Sequence, residues 1–308
     1  MNKIFFALAA LAACSPAFAQ EDSSFWRVFH TKAQKEKLVK VEHIMSMGII
    51  GPDDRQEITG KADDYEKAGV VLKMKYHDGI QSECSGAMVG KNIVLTAAHC
   101  LTDDDNRFVQ SVQVVATGLK AKLPDIKQPT KSHKTVAAQI KDKIDLISDS
   151  HKVFPSVRAN ELWVPSNWKG TKDSKYEKYK KYDYGIIILD SNLGEKTGWL
   201  KVAKKSTKDL LNKDIIVLGR GEDKPFNTLW KSEGRIGEVE SPFIYHDADA
   251  VGGNSGGPIL LKDSSHPIIA IEIAGKRENA PEGEYNNHGF LINDDIIFAI
   301  EWNKKQTL

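Results

Sequence analysis

From about Val70 onward the chain is built of short apolar runs closed by turn residues, with almost no helical spacing between them. The runs are VVLKMKY, SGAMVG, NIVLTA, VQVVATG, YGIIILD, DIIVLGRG, PIIAIEIAG and HGFLIN. Runs rich in Val and Ile and bounded by Gly, Asn and Asp read as strands. Many of them in succession predict an all-β sandwich or barrel. The tail is the exception. NDDIIFAIEWNKK opens on Asn and Asp, spaces Ile296, Ile297, Ile300 and Trp302 along one stripe, and closes on lysines, which predicts a C-terminal α-helix over about 293–304.

The 308 residues are enough for a sizeable core, in one large domain or two smaller ones. A net charge of +1 gives no reason to expect nucleic acid as the partner. The first residues, MNKIFFALAALAACSPAFAQ, join Lys3 to a short apolar run and a small-residue AFA site, the pattern of an export signal over 1–19. LAAC also reads as a lipobox that would lipidate Cys14; the AFA site favours soluble export, hence a secreted or periplasmic protein with no membrane span. Once Cys14 leaves with the signal, Cys84 and Cys100 remain as an even pair in an oxidising compartment. A disulfide across that short loop contributes about 2–4 kcal/mol; two buried free thiols are the alternative.

Residues 20–48 are polar and lysine-bearing and read as a pro-segment or linker rather than core. Residues 119–181 interrupt the strand rhythm with a lysine-rich stretch, read as a solvated insertion or a surface for an acidic partner. Asp103–Asn106 lacks the spaced ligands of a calcium loop and is predicted to be a turn.

VGGNSGGPIL surrounds one hydroxyl, Ser255, with Gly252, Gly253, Gly256 and Gly257. A serine hydroxyl is a weak nucleophile until a base takes its proton, and the attacked carbonyl then carries negative charge on oxygen. Two converging backbone N–H groups, here assigned to Gly253 and Ser255, stabilise that charge, and glycine permits both the turn and the approach. The other reading, a flexible Gly/Ser loop, fits poorly with the apolar PILLK that follows directly. The candidate base is His99, at the end of NIVLTAAHC. The candidate orienting carboxylate is Asp183 in KYDYGIIILD, with Asp190 at the far end of the same run as its rival.

SGAMVGKNIVLTAAHC, DYGIIIL and GGNSGGP occur in the order His, Asp, Ser, and the chain resembles the trypsin-like serine proteases. IIGPDDRQEIT, GEDKPFNTLWKSEGRI and YHDADAVGGNSGGPI bring it nearer to the bacterial glutamyl-endopeptidase branch, over roughly residues 49–303. The resemblance implies two antiparallel six-stranded β-barrels with the active site between them, here about 60–165 and 182–292, followed by the helix. It implies His99 as base, Asp183 as orienting acid, Ser255 as nucleophile, an oxyanion hole from Gly253 and Ser255, a Cys84–Cys100 disulfide, and maturation near Ile49 or Ile50. The enzyme would be a monomer cleaving protein or peptide substrates, with no cofactor and no metal.

Two positions depart from that pattern. Residue 254 is Asn, which as a neutral amide cannot pair with a new amino terminus as the Asp of many animal relatives does. By alignment the specificity pocket falls on Ala250, Glu272 and Gly275, with Glu272 where glutamate-cleaving relatives carry histidine. A substrate glutamate would meet a like charge there, costing about 4 kcal/mol at 4 Å and an effective dielectric near 20. A basic residue before the scissile bond is therefore expected, with acidic preference as the alternative. Strand alternation also allows Glu272 to face solvent, and His288 could neutralise it or restore acid binding. Two other readings compete. An envelope quality-control protease would need a peptide-binding domain in the roughly fifty residues after Ser255. A silent binding protein on the same scaffold would be expected to lose a residue of the triad, and none is lost.

Overall fold

The computed structural model describes residues 25–31, 39–40, 48–59, 61–119, 154–172, 176–275 and 287–306. The signal, Cys14, most of 20–48 and the greater part of the lysine-rich insertion lie outside the described residues.

Three strands precede or flank the main body: β1 (Trp26–His30), β2 (Val39–Lys40) and β3 (Gln56–Ile58). Six strands then form the first barrel: β4 (Gly69–Lys75), β5 (Ile80–Met88), β6 (Ile93–Thr96), β7 (Ser111–Val115), β8 (Ser156–Pro165) and β9 (Gly185–Leu189). Their antiparallel order, β8-β7-β4-β5-β6-β9, closes through a β8–β9 pairing. The second barrel uses β10 (Asp214–Gly219), β11 (Leu229–Glu240), β12 (Phe243–His246), β13 (Pro258–Leu261), β14 (Ile268–Ala274) and β15 (Asn287–Leu291). It runs β10-β13-β14-β15-β12-β11 and closes through β10–β11. The strands are largely buried, in keeping with their Val/Ile/Leu content, and Leu72, Met74, Leu95, Leu162 and Ile186 fill the first barrel. Ile215, Val217, Ile236, Ile244 and Ile259 fill the second.

The helices are α1 (Asp64–Lys67), α2 (Tyr176–Tyr179), α3 (Gly194–Thr197) and α4 (Asp294–Gln306). The tail forms α4 as its pattern predicts, with the Asn293 side-chain oxygen accepting the Ile296 N–H at 2.9 Å as an N-terminal cap. Among the described residues no helix is long and apolar enough to cross a membrane. Asp103–Asn106 is a turn, with Asn106 at φ 62°.

The structure differs from the sequence expectation in three places. First, the barrel boundary expected near residue 182 falls later: β9 pairs with β6 and β8, so it completes the first barrel. Second, β8 lies inside the stretch expected to be a solvated insertion. In SVRANELWVP the inward Ala159, Leu162 and Val164 are spaced between exposed or half-exposed residues, which hides the strand in a charged composition.

Third, β1 lies within the segment expected to be outside the core. Trp26 is buried against Trp163 and Tyr184, and β1 pairs with Glu161–Pro165 of β8. Phe29 stacks on Phe108, whose ring also carries the Arg27 guanidinium. One large ring repays the ordering of a short strand that polar neighbours would leave loose. Trp26→Ala is therefore expected to cost about 3 kcal/mol, read as a lower urea midpoint at constant slope. An unchanged midpoint would mean that β1 adds nothing to the fold.

Candidate active site

His99 sits in the single turn Ala98–Cys100 that follows β6, and Asp183 ends the turn Lys180–Tyr182 that precedes β9. Because β6 and β9 are antiparallel neighbours with Thr96 opposite Gly185, these two strand ends fall side by side. The convergence thus follows from the register, although 84 residues separate the pair. His99 Nδ1 lies 2.7 Å from Asp183 Oδ2, and the His99 backbone N–H donates to Oδ1 at 2.9 Å. Asp183 is fully buried, so these donors replace the water that a carboxylate would otherwise hold. Asp190, the rival, is exposed at the other end of β9. The Cys84–Cys100 disulfide fastens the histidine turn to β5.

Ser255 lies in the loop from β12 to β13, a tight turn with Gly253 at φ 93° and Gly256 at φ 78°. At Gly256 an added Cβ would collide with Thr96 Oγ1 and stand 2.5 Å from the Ser85 carbonyl oxygen. Glycine here lets the second barrel's turn press against the first barrel. The Ser85 N–H donates to the Ser255 carbonyl at 2.8 Å, and the Ser85 hydroxyl donates to the Gly253 carbonyl at 2.8 Å. At Gly253 a Cβ would stand 2.6 Å from the Arg220 carbonyl oxygen. Among the described residues, neither the Gly253 nor the Ser255 N–H donates to a protein acceptor. Asn254 is buried and its side-chain oxygen accepts the Val251 N–H at 3.3 Å, so it closes its own turn.

His99, Gly252, Gly253 and Ser255 line one cleft. In the free protein the imidazole and the Ser255 hydroxyl share it without a mutual hydrogen bond, a contact that commonly tightens only when substrate binds. The one group of three possible metal ligands among the described residues is Cys84, His99 and Cys100. Its sulfurs are bonded to each other and its imidazole faces Asp183, so it is not a metal donor set.

The trypsin family model matches residues 58–293. The chain belongs to the trypsin family. It is therefore a serine endopeptidase, a hydrolase. Among its curated relatives is the extracellular metalloprotease of Bacillus subtilis strain 168. It is 24% identical over 272 residues, covering 87% of this chain and 74% of the relative. A glutamyl endopeptidase of Bacillus licheniformis is 24% identical over 268 residues, covering 86% and 72%. Solved structures with the same fold include a Glu endopeptidase in complex with MPD, with TM-score 0.57 and 20% identity, covering 84% of this chain and 100% of that one. Another is the protease Anisep from Arthrobacter nicotinovorans, with TM-score 0.53 and 16% identity, covering 81% and 98%.

Within this trypsin-family frame the expected pocket residues behave differently from the cleft residues. Ala250 and Glu272 have no solvent exposure and Gly275 is buried. Among the described residues none of the three lines the Ser255 cleft. The Glu272 backbone is nevertheless stitched to the nucleophile turn: its carbonyl accepts the Gly256 N–H at 2.7 Å and its N–H donates to the Gly257 carbonyl at 2.8 Å. The expectation that Glu272 might face solvent fails, because its side chain enters the barrel and meets His246 Nε2 at 2.9 Å. Burial pushes the Glu272 carboxyl up and His246 pulls it partly back. The histidine that hydrogen-bonds Glu272 is His246, two strands away across β15, while His288, the alternative, lies on the adjacent strand β15.

Sequence reasoning missed His246, Asp249 and Tyr176. Asp249 is buried, which pushes its carboxyl up, and it accepts the Ile50 N–H at 2.7 Å. Asn287 holds Gly48 from both sides, accepting its N–H at 3.0 Å and donating to its carbonyl at 2.8 Å. These bonds seat the segment around Ile49 and Ile50 on the second barrel. An aspartate in the small-residue run DADAVGG was the available signal for Asp249.

Proposed function

We propose that this protein is an exported serine endopeptidase in which Ser255 is the nucleophile, His99 the general base and Asp183 its orienting acid. The observation that carries this reading is the 2.7 Å His99–Asp183 contact opening onto the cleft that also holds Ser255. Ser255 Oγ attacks the carbonyl carbon of the scissile bond as His99 Nε2 takes its proton. Asp183 stabilises the imidazolium through Nδ1–H. The oxygen that becomes anionic accepts the Gly253 and Ser255 N–H groups, each such donor contributing about 2.7–4 kcal/mol. Collapse expels the amine with the proton from His99, and water, activated by the same imidazole, hydrolyses the acyl-enzyme. Export rests on the N-terminal signal pattern, with support from the extracellular relative.

We further propose a preference for Lys or Arg before the scissile bond, because a carboxyl, Glu272, lies buried behind the nucleophile turn, to which its backbone is bonded, where glutamate-cleaving relatives carry histidine. Oε2 of this buried carboxyl is taken by His246, while among the described residues Oε1 has no hydrogen-bond partner. Burial pushes the Glu272 carboxyl up, and a cation brought near would draw it back toward its charged form, whereas a second anion would be disfavoured. The acidic alternative draws on the glutamyl endopeptidase relatives and on His246, which already occupies one oxygen of the Glu272 carboxyl. A panel of peptides differing only at that residue separates the two. Basic substrates should turn over at least about tenfold faster than the glutamate peptide, and Glu272→Gln should remove most of that gap. Faster cleavage after Glu contradicts the basic preference.

A further inference from the structure

The Asp183 carboxylate has a third donor that the triad alone does not require. Tyr176, in α2, directs its hydroxyl at Asp183 Oδ2 from 3.2 Å, the oxygen that also holds His99 Nδ1. A carboxylate only accepts, so the phenol O–H donates. We infer that Tyr176 is a positioning residue: its hydroxyl fixes the rotation of the Asp183 carboxylate and draws off part of the negative charge that Asp183 presents to His99. The inference rests on the reading of His99 and Asp183 as base and orienting acid.

The phenol is held from behind. Its ring meets Trp168 edge to face, with centroids 6.2 Å apart and planes at 89°. Trp168 is fully buried and its Nε1–H donates to Thr102 Oγ1 at 2.9 Å. The Thr102 hydroxyl in turn donates to the Ala98 carbonyl at 3.3 Å, one residue before His99. The tyrosine and the histidine turn therefore stand on one hydrogen-bonded support, and both reach the same carboxylate. The groups acting on the phenol are Asp183, Glu177 of its own helix and Glu272 of β14; with burial as the largest cause, they push its ionisation well above the ordinary value. Tyr176 thus remains a protonated donor at neutral pH and well above it. Among the described residues, the ionisable group in hydrogen-bond contact with the His99 ring is Asp183.

Removing the donor leaves Asp183 with more charge for the imidazole. The imidazolium is then better stabilised, so the base stays protonated to higher pH. The test is Tyr176→Phe, which keeps the ring on Trp168. The acid limb of kcat/KM should move up by about half a unit, kcat at pH 7 should fall about three- to tenfold, and KM should change less than about twofold. The His99 Nδ1 proton should shift in its NMR resonance without any use of substrate. A variant with an unmoved acid limb, unchanged kcat and an unmoved Nδ1 resonance overturns the inference, even if its melting temperature falls. Wild-type protein that neither cleaves peptides nor reacts at Ser255 overturns the triad reading itself, and the role of Tyr176 with it.

Discussion

Ser255→Ala is expected to lower kcat on a peptide substrate by about 10⁶-fold, His99→Ala to cost nearly as much, and the double variant to cost no more than either single one. The reason is that the two side chains supply one event. The hydroxyl is inert without a proton acceptor, and the imidazole has no nucleophile to serve without the hydroxyl. What remains is binding and oxyanion stabilisation by the Gly253 and Ser255 N–H groups, which alanine at 255 leaves in place because its backbone still carries the donor. Residual hydrolysis should thus exceed the rate in water by about 10³–10⁴-fold. Both positions sit in a cleft rather than at the centre of a barrel core, so the variants should fold. Additive losses in the double variant would indicate that the two residues act separately.

Asp183→Asn is expected to reduce kcat about 10⁴-fold near neutral pH with little change in KM. Asparagine has almost the same shape, and its oxygen can still accept the His99 backbone N–H that now goes to Oδ1. Its amide N–H, however, would donate to Nδ1. That leaves the imidazole proton on Nε2, facing Ser255, where an acceptor is required. Loss of the buried charge also removes the partner that stabilises the imidazolium. The check is a kcat profile measured alongside a thermal unfolding curve. A large drop in kcat with a near-unchanged melting temperature supports the orienting role, and retention of more than about a tenth of wild-type activity argues against it.

The parts of the fold and site visible in the sequence were those written in local pattern. Continuous apolar runs such as Ile93–Thr96 and Gly185–Leu189 are buried on both sides and read directly as strands. The glycines about Ser255 point to a turn because glycine reaches positive φ, as Gly253 and Gly256 do, at little steric cost. β8, β11 and β1 were hidden: β8 spaces its buried residues among exposed ones in a charged stretch, β11 buries Leu229, Ser232 and Ile236 among exposed and half-exposed neighbours, and β1 relies on Trp26 finding a pocket made by residues far along the chain. Long-range pairing was equally hidden. Glu272 meets His246 because β15 lies between their strands, a neighbourhood that 26 residues of sequence separation do not reveal. Tyr176 lies in KYEKYKKY, where lysines suggest a solvated face. It turns inward because Trp168 and Asp183 offer an aromatic wall and an acceptor. The barrel boundary moved for a related reason, since a strand belongs to whichever neighbours complete its ladder.

The reactivity of Ser255 toward a fluorophosphonate, followed by mass spectrometry of the intact exported protein and of its peptides, tests the central claim most directly. One adduct per chain, mapped to Ser255 and lost in His99→Ala, is the predicted result. An unmodified Ser255 in fully processed, folded protein, or equal labelling with and without His99, would contradict it.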